Sequence, residues 1–310
     1  MRTYDRRTID ATGTFLVGEL ERLDKTINLP LASVTWQRDI DLREDVTMGD
    51  ETSSFTVTDF AASGFSGSGK SWVGKNSTAI AGVSLDIAKT PSPLHLWARE
   101  MGWSIPELEA AQQVGRPIDT QKYDGLKLKH QMDVDEMVYI GDTVVGAYGL
   151  LNNPVIPPYG FVADWLTASP DDILTDINGF IDHAAKRSAY AVYPRQLRLP
   201  ANKFAALTRP VSLAGSESIL SYVSKQCVSA IINGQPLEIL PLKWLSGRGV
   251  GGHDRAVLYT RDKKYVRYPM VPLQKTPLEH RGIHQLVTYF GKLGHVEFVY
   301  PETVSYADMQ

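Results

Sequence analysis

The segment from Gly64 to Ser71 reads GFSGSGKS and matches the G-x-x-x-x-G-K-[ST] pattern of phosphate-binding loops at every required position. A working loop of this kind needs a buried strand before the glycines and a helix that begins at the Lys-Ser pair, because the helix N-terminus and backbone N–H groups bind the phosphates. Here TVTDFAAS precedes the motif, and WVGKNSTAIAGVSLDI follows it with Gly74 and β-branched residues where a helix should continue. We therefore predict a turn within a β-rich region. A P-loop nucleotide-binding enzyme built on Lys70 and Ser71 is the alternative from another functional class.

A second glycine-rich segment, GRGVGG from Gly247 to Gly252, satisfies the G-x-G-x-x-G pattern of dinucleotide-binding folds and follows the strand-like run LEILPLKWL. The residues after it, HDRAVLYTRD, have the composition of a strand, so no helix N-terminus is expected to face a pyrophosphate. The pattern at this position predicts a glycine-rich surface loop.

Two histidines, His280 and His284, have the i, i+4 spacing of zinc-protease ligands. However, Gly282 lies between them, and Arg281 stands where such enzymes carry a glutamate. Cys227 has no base beside it in SKQCVSA and is predicted to be a small buried apolar residue. Since a Gly-x-Ser-x-Gly elbow is also absent, the sequence predicts no enzyme, no catalytic residues, no metal site and no cofactor.

The composition indicates a chain with a real hydrophobic core and little charge bias. Of its 310 residues, 43% are hydrophobic, which suffices for one large or two ordinary domains. The formal net charge is -3, so the chain lacks the basic excess needed to grip a phosphate backbone. Its single cysteine cannot form an intrachain disulfide, and no window approaches the roughly 20 apolar residues of a membrane span. We expect a protein made in a cytoplasm, with weak local contact with nucleic acid and no membrane partner.

The N-terminal part is predicted to form a helix followed by a long β excursion. Phe15, Leu16 and Leu20 recur at helical spacing, and Pro30 ends the helix. From about Ala32 to Asp86, the β-branched runs SVTWQRDIDLREDV, SSFTVTDFAAS and STAIAGVSLDI are separated by turn residues. Because about fifty such residues cannot all lie on one small core, we predict an extended arm or hairpin that reaches away from the body.

Later segments carry clear helix signals. Ser104-Ile105-Pro106-Glu107 is a good helix start, and helical composition resumes from Thr120 to Met132. Ser169 opens a capped helix that continues to about Ala189, and a further helix is predicted from Glu217 to about Ala230. Turn-rich segments and short β-like runs fill the remainder. This order favours an α+β fold over regular βαβ alternation.

Several stretches, taken in order, carry a family resemblance. ATGTFLVGELERLDKTINLPLASVTW is similar to an N-terminal arm, TWQRDIDLREDVTMGDETSSFTVTDFA to the outgoing leg of an extended loop, and SIPELEAAQQVGRPIDTQKYDGLKL to the start of a spine helix. VYIGDTVVGAYGLLNNPVI resembles the turn after that helix, and GRGVGGHDRAVLYTRDKKYVRYPMVPLQ a late loop and strand. In this order they resemble the major capsid proteins of tailed bacteriophages over nearly the whole sequence.

The resemblance implies a Hong Kong 97-type capsid fold of the α+β class, with an N-terminal arm, an extended β-hairpin loop, a peripheral domain with a long spine helix, and an axial domain. The GFSGSGKS segment is not a feature of that family, so it departs from the pattern. The implied boundaries are 1–30 for the arm, 31–90 for the extended loop, 91–155 and 256–295 for the peripheral domain, and 156–255 and 296–310 for the axial domain.

The resemblance also implies a function. The expected protein is a structural major capsid protein that self-assembles as pentamers and hexamers into the icosahedral shell enclosing phage genomic DNA. Its expected location is the virion, after assembly in the bacterial host cytoplasm. The expected partners are other copies of the chain and separate scaffolding, portal and decoration proteins, while packaged double-stranded DNA is contacted only weakly and non-specifically. An encapsulin-like bacterial nanocompartment shell protein has the same fold and is the nearest alternative.

Intersubunit contacts are assigned by segment. We expect the N-terminal helix to clasp a neighbour, the extended loop to overlie the adjacent subunit, and the GRGVGG loop to lie near the capsomer axis. Charged residues of the loop are candidates for ion pairs between subunits, although a solvated β face explains them equally well, and exposed pairs contribute only about 0 to 1 kcal/mol. The candidate contact residues are Phe15, Leu16, Leu20, Arg38, Asp39, Asp41, Arg43, Glu44, Asp45 and Arg248.

Overall fold

The fold is taken from a computed structural model, which describes residues 32–62, 83–114, 118–211 and 217–309. These residues divide into two compact units. The smaller unit contains Glu100–Lys129 and Pro277–Val287, and the larger contains Val34–Arg99, His130–Thr276 and Thr288–Gln310.

Helices and strands are numbered here in chain order over the described residues. The helices are α1 Trp36–Asp39, α2 Ile105–Val114, α3 Ile118–Tyr139, α4 Pro170–Arg187, α5 Ala201–Ala206, α6 Ile219–Gln226 and α7 Val228–Asn233. The strands are β1 Asp41–Arg43, β2 Thr52–Ala62, β3 Val83–Pro93, β4 His95–Ser104, β5 Pro158–Gly160, β6 Gln196–Leu199, β7 Glu238–Pro241, β8 Asp254–Tyr259, β9 Val266–Lys275, β10 Glu279–Arg281, β11 His284–Leu293, β12 Glu297–Phe298 and β13 Ser305–Met309.

A five-stranded sheet in the larger unit, with strand order β5-β13-β8-β6-β7, is buried on both faces. Successive side chains of a strand point to opposite faces. Accordingly, Ala256 and Leu258 of β8 pack in a cluster with α4, whereas Val257 and Tyr259 pack in a second cluster with Val138 of α3. Because both faces are covered, β8 reads as the continuous apolar run AVLY rather than as an alternating pattern.

Helix α4 begins where the sequence predicts. The Ser169 hydroxyl accepts a hydrogen bond from the backbone N–H of Asp172 at 3.2 Å, and the Asp172 carboxylate accepts one from the N–H of Ser169 at 3.4 Å. Pro170 occupies the first turn, where its missing N–H costs nothing. The buried face of the helix, which includes Ile173 and Phe180, packs against the sheet. The predicted capped start of this helix is therefore confirmed, and its cap is a capping box.

Strand β9 is the centre of a second sheet in the larger unit. It pairs in parallel with β1 and antiparallel with β12 and with residues 289–293 of β11. The register with β11 shifts between Phe290 and Lys292. At Gly291 a Cβ atom would lie 2.9 Å from the carbonyl oxygen of Val271, so the two backbones approach more closely there than a larger residue allows.

The smaller unit contains the predicted Ser104 helix start. Ser104 and Glu107 cap α2 reciprocally, with backbone-to-side-chain distances of 3.3 and 3.4 Å. Lys122 donates to the Glu107 carboxylate at 2.7 Å and to the carbonyl oxygen of Gly102 at 2.9 Å. The predicted start of this helix and the helical composition after Thr120 are both confirmed.

Two expectations about element bounds are wrong. The predicted outgoing β leg begins instead with the helical turn α1 and the short sheet strand β1, since Asp135 Oδ1 accepts hydrogen bonds from the N–H groups of Thr35 and Trp36 at 2.8 and 3.0 Å and the Trp36 side chain is buried. The helix expected from Glu217 to Ala230 is two helices, because Cys227 adopts an extended conformation between them. Cys227 is buried, as predicted.

A buried ion pair fixes α1 to the five-stranded sheet. Asp39 Oδ1 accepts hydrogen bonds from Arg38 Nε and from Arg198 Nε of β6, both at 2.8 Å, and Asp39 Oδ2 accepts one from the Tyr139 hydroxyl. The side chains of Asp39 and Arg198 are both 0% exposed. Burial alone would raise the pKa of Asp39, but the hydrogen bond from Arg38 and the charge of Arg198 outweigh it and hold the pKa below its ordinary value.

We predict that Asp39→Asn lowers the free energy of unfolding of the unassembled chain by about 3 kcal/mol, because the Arg198 guanidinium then loses its buried charged partner and keeps only the half-exposed Glu238. Chemical denaturation measures the change. The matched control is Asp182→Asn, which removes the exposed i, i+4 pair with Lys186 and should cost less than about 1 kcal/mol. Equal effects of the two substitutions would contradict the assigned role of Asp39.

Candidate intersubunit surface

The hairpin of β2 and β3 is a long and mostly exposed element of the described chain. Its two legs pair antiparallel from Thr52–Pro93 to Ala62–Val83. At about 3.4 Å per residue, eleven residues span roughly 37 Å. Over 52–58 and 87–93, where side chains are described, only Ser53 is buried. Since an isolated two-stranded hairpin is marginally stable at best in water, the mostly exposed described part of this ladder is a candidate surface for a partner.

The root of the hairpin is held by one buried carboxylate. Glu297 of β12 has a side chain that is 0% exposed and accepts hydrogen bonds from Arg267 Nε at 2.7 Å, from Arg43 Nη1 at 3.1 Å and from the Ser53 hydroxyl. Arg43 also donates to the carbonyl oxygen of Ser54 at 2.9 Å. Two cations and a hydroxyl therefore satisfy this carboxylate, and they join β1, β2 and β9 at one point.

The charged candidates Arg38 to Asp45 have partners within the chain. Asp39 forms a buried ion pair with Arg198, and Asp41 forms an ion pair with Arg261 at 2.7 Å. Arg43 binds both Glu297 and, at 2.7 Å, Asp45. The structure thus places Arg43 and Asp45 at the hairpin root and Asp39 at the five-stranded sheet, and whether any of these residues also contacts a neighbouring subunit stays a prediction.

Among the predicted contact residues, Glu44 and Asp45 expose most of their side chains. Glu44 lies 3.7 Å from Lys263, with 78% of its own side chain exposed, and Asp45 is 66% exposed. Arg248 is exposed as well. Phe15, Leu16 and Leu20 lie outside the described residues.

The GRGVGG segment is a loop followed by a strand, as predicted. Strand β8 follows it directly, and Gly247, Gly251 and Gly252 have positive φ angles that a side chain would strain. The Asp308 carboxylate accepts a hydrogen bond from the N–H of Val250 at 2.9 Å. This loop therefore lacks the helix N-terminus of a dinucleotide site.

The other chemical motifs show no assembled site. GFSGSGKS lies outside the described residues. His280 and His284 are exposed on the paired strands β10 and β11, on either side of a turn at Gly282. Among the residues that the structure describes, no group of three or more His, Cys, Asp or Glu side chains could hold a metal ion. Burial raises the pKa of the Cys227 thiol, which disfavours the reactive thiolate.

Sequence reasoning missed Glu297 and Arg198, the two buried charges on which these contacts depend. A signal for each was present, because Glu297 interrupts the apolar run HVEFVY and Arg198 interrupts QLRLP. A single charge within a short apolar strand indicates a buried, paired residue. The residue that pairs with it lies 159 positions away for Arg198, and no local pattern connects the two.

In the described ranges, no helix is both long enough and apolar enough to cross a membrane.

Comparison with solved structures identifies the fold. The capsid of Myoviridae phage XM1 matches with a TM-score of 0.76 at 16% identity, covering 94% of this chain and 98% of the capsid chain. The capsid of the native GTA particle matches with a TM-score of 0.65 at 15% identity, covering 97% of this chain and 98% of the GTA capsid chain. The Mycobacterium phage Adephagia structure matches with a TM-score of 0.62 at 11% identity, covering 100% and 99%. These likenesses confirm the predicted Hong Kong 97-type capsid fold.

A search of curated proteins finds no match to this sequence. The family model of the major capsid protein matches residues 69–309, which is more than half of the chain. It therefore covers strand β3 and every element that follows. The match also favours a phage capsid over a nanocompartment shell. The chain belongs to the major capsid protein family and is a structural protein of a capsid shell.

Proposed function

We propose that copies of this chain assemble, as pentamers and hexamers, into the icosahedral shell that encloses phage genomic DNA. The observation that carries the proposal is the β2–β3 hairpin, whose described side chains are mostly exposed while its root is fixed by a buried carboxylate. Extended strands of this kind bury most of their apolar area only against another molecule. Subunit folding and shell building are therefore coupled through the hairpin.

The proposed work is structural, with no catalytic step and no cofactor. Separate scaffolding, portal and decoration proteins are the proposed partners besides other copies of the chain. With a net charge of -3, the chain suits a wall that contacts packaged double-stranded DNA only weakly, since tight binding would hinder packaging and release. We place assembly in the cytoplasm of the bacterial host and the finished shell in the virion.

The proposed division of the chain follows its resemblance to the family. Residues 1–30 form the arm and 31–90 the extended loop, while 91–155 with 256–295 form the peripheral domain and 156–255 with 296–310 the axial domain. Between subunits we assign Glu44, Asp45 and Arg248 to exposed polar contacts, because their side chains extend into solvent in the single chain. Phe15, Leu16 and Leu20 are assigned to a clasp on a neighbour, on their spacing alone.

We predict that Glu297→Gln loosens the hairpin root. The neutral amide cannot balance Arg43 and Arg267, so the two guanidinium groups are left close together at a buried site. Hydrogen exchange should show faster exchange at the backbone amides of 52–57. Glu279→Gln, at an exposed position of β10, is the control and should leave those amides unchanged. Unchanged exchange in Glu297→Gln would contradict the assigned role of the carboxylate.

Removing the outer hairpin should block assembly without unfolding the subunit. Val57 pairs with Ala88, so residues 58–87 can be replaced by an Asn-Gly turn that closes the ladder. Because the described side chains nearest the cut are mostly exposed, we expect the free energy of unfolding to change by less than about 1 kcal/mol, while negative-stain microscopy shows no particles. Closed particles from the shortened chain would rule out the proposed role of the hairpin.

The nucleotide-binding alternative is tested by Lys70→Ala. A phosphate-binding loop depends on its lysine, whereas a turn within the extended loop does not. We expect the variant to form particles in the same yield as the unaltered chain, with no binding of ATP or GTP by either protein in equilibrium dialysis. Nucleotide binding that is lost in the variant would support the alternative.

A further inference from the structure

Two exposed apolar patches of the larger unit have no role in the contacts described so far. The first, the α7 patch, consists of Val228, Ile231 and Ile232, which are 39%, 68% and 52% exposed. Their i, i+3, i+4 spacing places them on one face of α7. The second, the β5 patch, consists of Val162 and Leu166 in the loop after β5, which are 89% and 52% exposed.

The two patches lie on opposite sides of the five-stranded sheet. Strand β5 is one edge of that sheet, and the loop with Val162 and Leu166 follows it directly. Strand β7 is the other edge, and α7 leads into it through Gly234 and Leu237. With strands about 4.8 Å apart, the two edges of a five-stranded sheet are separated by roughly 19 Å.

The contacts of helix α4 show independently that the two patches lie on opposite sides. Its residue Asp176 accepts hydrogen bonds from the N–H of Ala163 at 3.0 Å and from Trp165 Nε1 at 3.1 Å, both in the loop of the β5 patch. Asn178 Oδ1, also on α4, accepts a hydrogen bond from the N–H of Val228 in α7 at 3.0 Å. Positions two apart on a helix point about 200° apart, so the two patches flank α4 on opposite sides.

Charge around the two patches is complementary. Beside the α7 patch, Arg195 is exposed and forms no ion pair with any residue that the structure describes, and Lys225 lies 3.8 Å from Glu217. Arg195 directly follows Pro194, whose carbonyl oxygen accepts the Ser229 hydroxyl of α7. Near the β5 patch, Asp171 and Asp172 at the start of α4 are exposed and form no ion pair with a described residue. Asp164 is paired with Lys203, whereas Arg209 binds carbonyl oxygens and keeps its positive charge. After the ion pairs among the described residues are formed, Arg195 leaves a positive charge at the α7 patch, while two carboxylates outnumber Arg209 at the β5 patch.

We propose that the α7 patch of one copy packs against the β5 patch of the next copy around a capsomer ring. A ring needs a head-to-tail interface made of two different surfaces on opposite sides of the subunit, and an interface between two copies of one patch would stop at a dimer. Both patches are apolar, and the net charges of the unpaired groups around them are opposite in sign. The partner is therefore a second copy of this chain, and the inference rests on the proposed shell function.

Two single substitutions test the interface. Ile231→Asp and Val162→Asp each place a charge in one patch at an exposed position, where folding tolerates it. Each should lower the particle yield about tenfold or more, measured by sedimentation and microscopy, with an unchanged thermal unfolding midpoint. Ile231→Leu and Val162→Ile keep the patches apolar and should assemble normally. Should either aspartate variant unfold, Ile231→Ser or Val162→Ser replaces it.

Mixing the two variants identifies the geometry. Ile231→Asp retains an intact β5 patch and Val162→Asp an intact α7 patch, so one sound interface can form between the two variants but no ring can close. We expect each variant alone to sediment as a monomer and the equimolar mixture to form a dimer without particles. A mixture that stays monomeric, or aspartate variants that form closed particles, overturns the proposed interface. If the unaltered chain itself forms no particles, that result contradicts the proposed shell function rather than the interface.

Discussion

The hairpin depends on the Glu297 carboxylate. A buried carboxylate is costly unless cations and hydroxyl donors satisfy it, and here Arg43, Arg267 and Ser53 do so. Because these donors come from three different strands, the ion cluster fixes the direction in which the hairpin leaves the body of the larger unit. The legs beyond it gain little from their own chain, so the cluster substitutes for the packing that a hairpin normally needs.

The Asp39 carboxylate is likewise buried and satisfied by a cation, Arg198, at the five-stranded sheet. Both clusters place opposite charges where water is excluded, so a wrong arrangement of the strands would leave a charge unpaired. Buried apolar residues tolerate small shifts in register more readily than paired charges do. We infer that the two ion clusters define one arrangement of β1 relative to both sheets, which gives every copy the same surface. A shell built from identical contacts requires that uniformity.

The sequence predicted local features well and distant pairings poorly. Ser169 and Ser104 open their helices as expected, because capping depends on residues within one turn. The hairpin itself was also predicted, since β-branched runs around turn residues are a local signal. The segment from Thr35 to Arg43 was misread as a β leg, because its conformation depends on Asp135, 100 positions from Thr35. The patches of α7 and β5 were missed for the same reason, since only the strand order shows that they lie at opposite edges.

The composition of β3 determines which surface of the hairpin can bind a neighbour. A two-stranded ladder has two free edges, and free edges invite uncontrolled strand pairing between molecules. Strand β3 carries Lys89, Pro91 and Pro93, and the two prolines each remove a backbone donor from the strand. These residues oppose strand addition along 89–93 of the β3 edge, where most side chains remain exposed. Contact through the faces requires a matching surface on the neighbour, so it favours a specific assembly over aggregation.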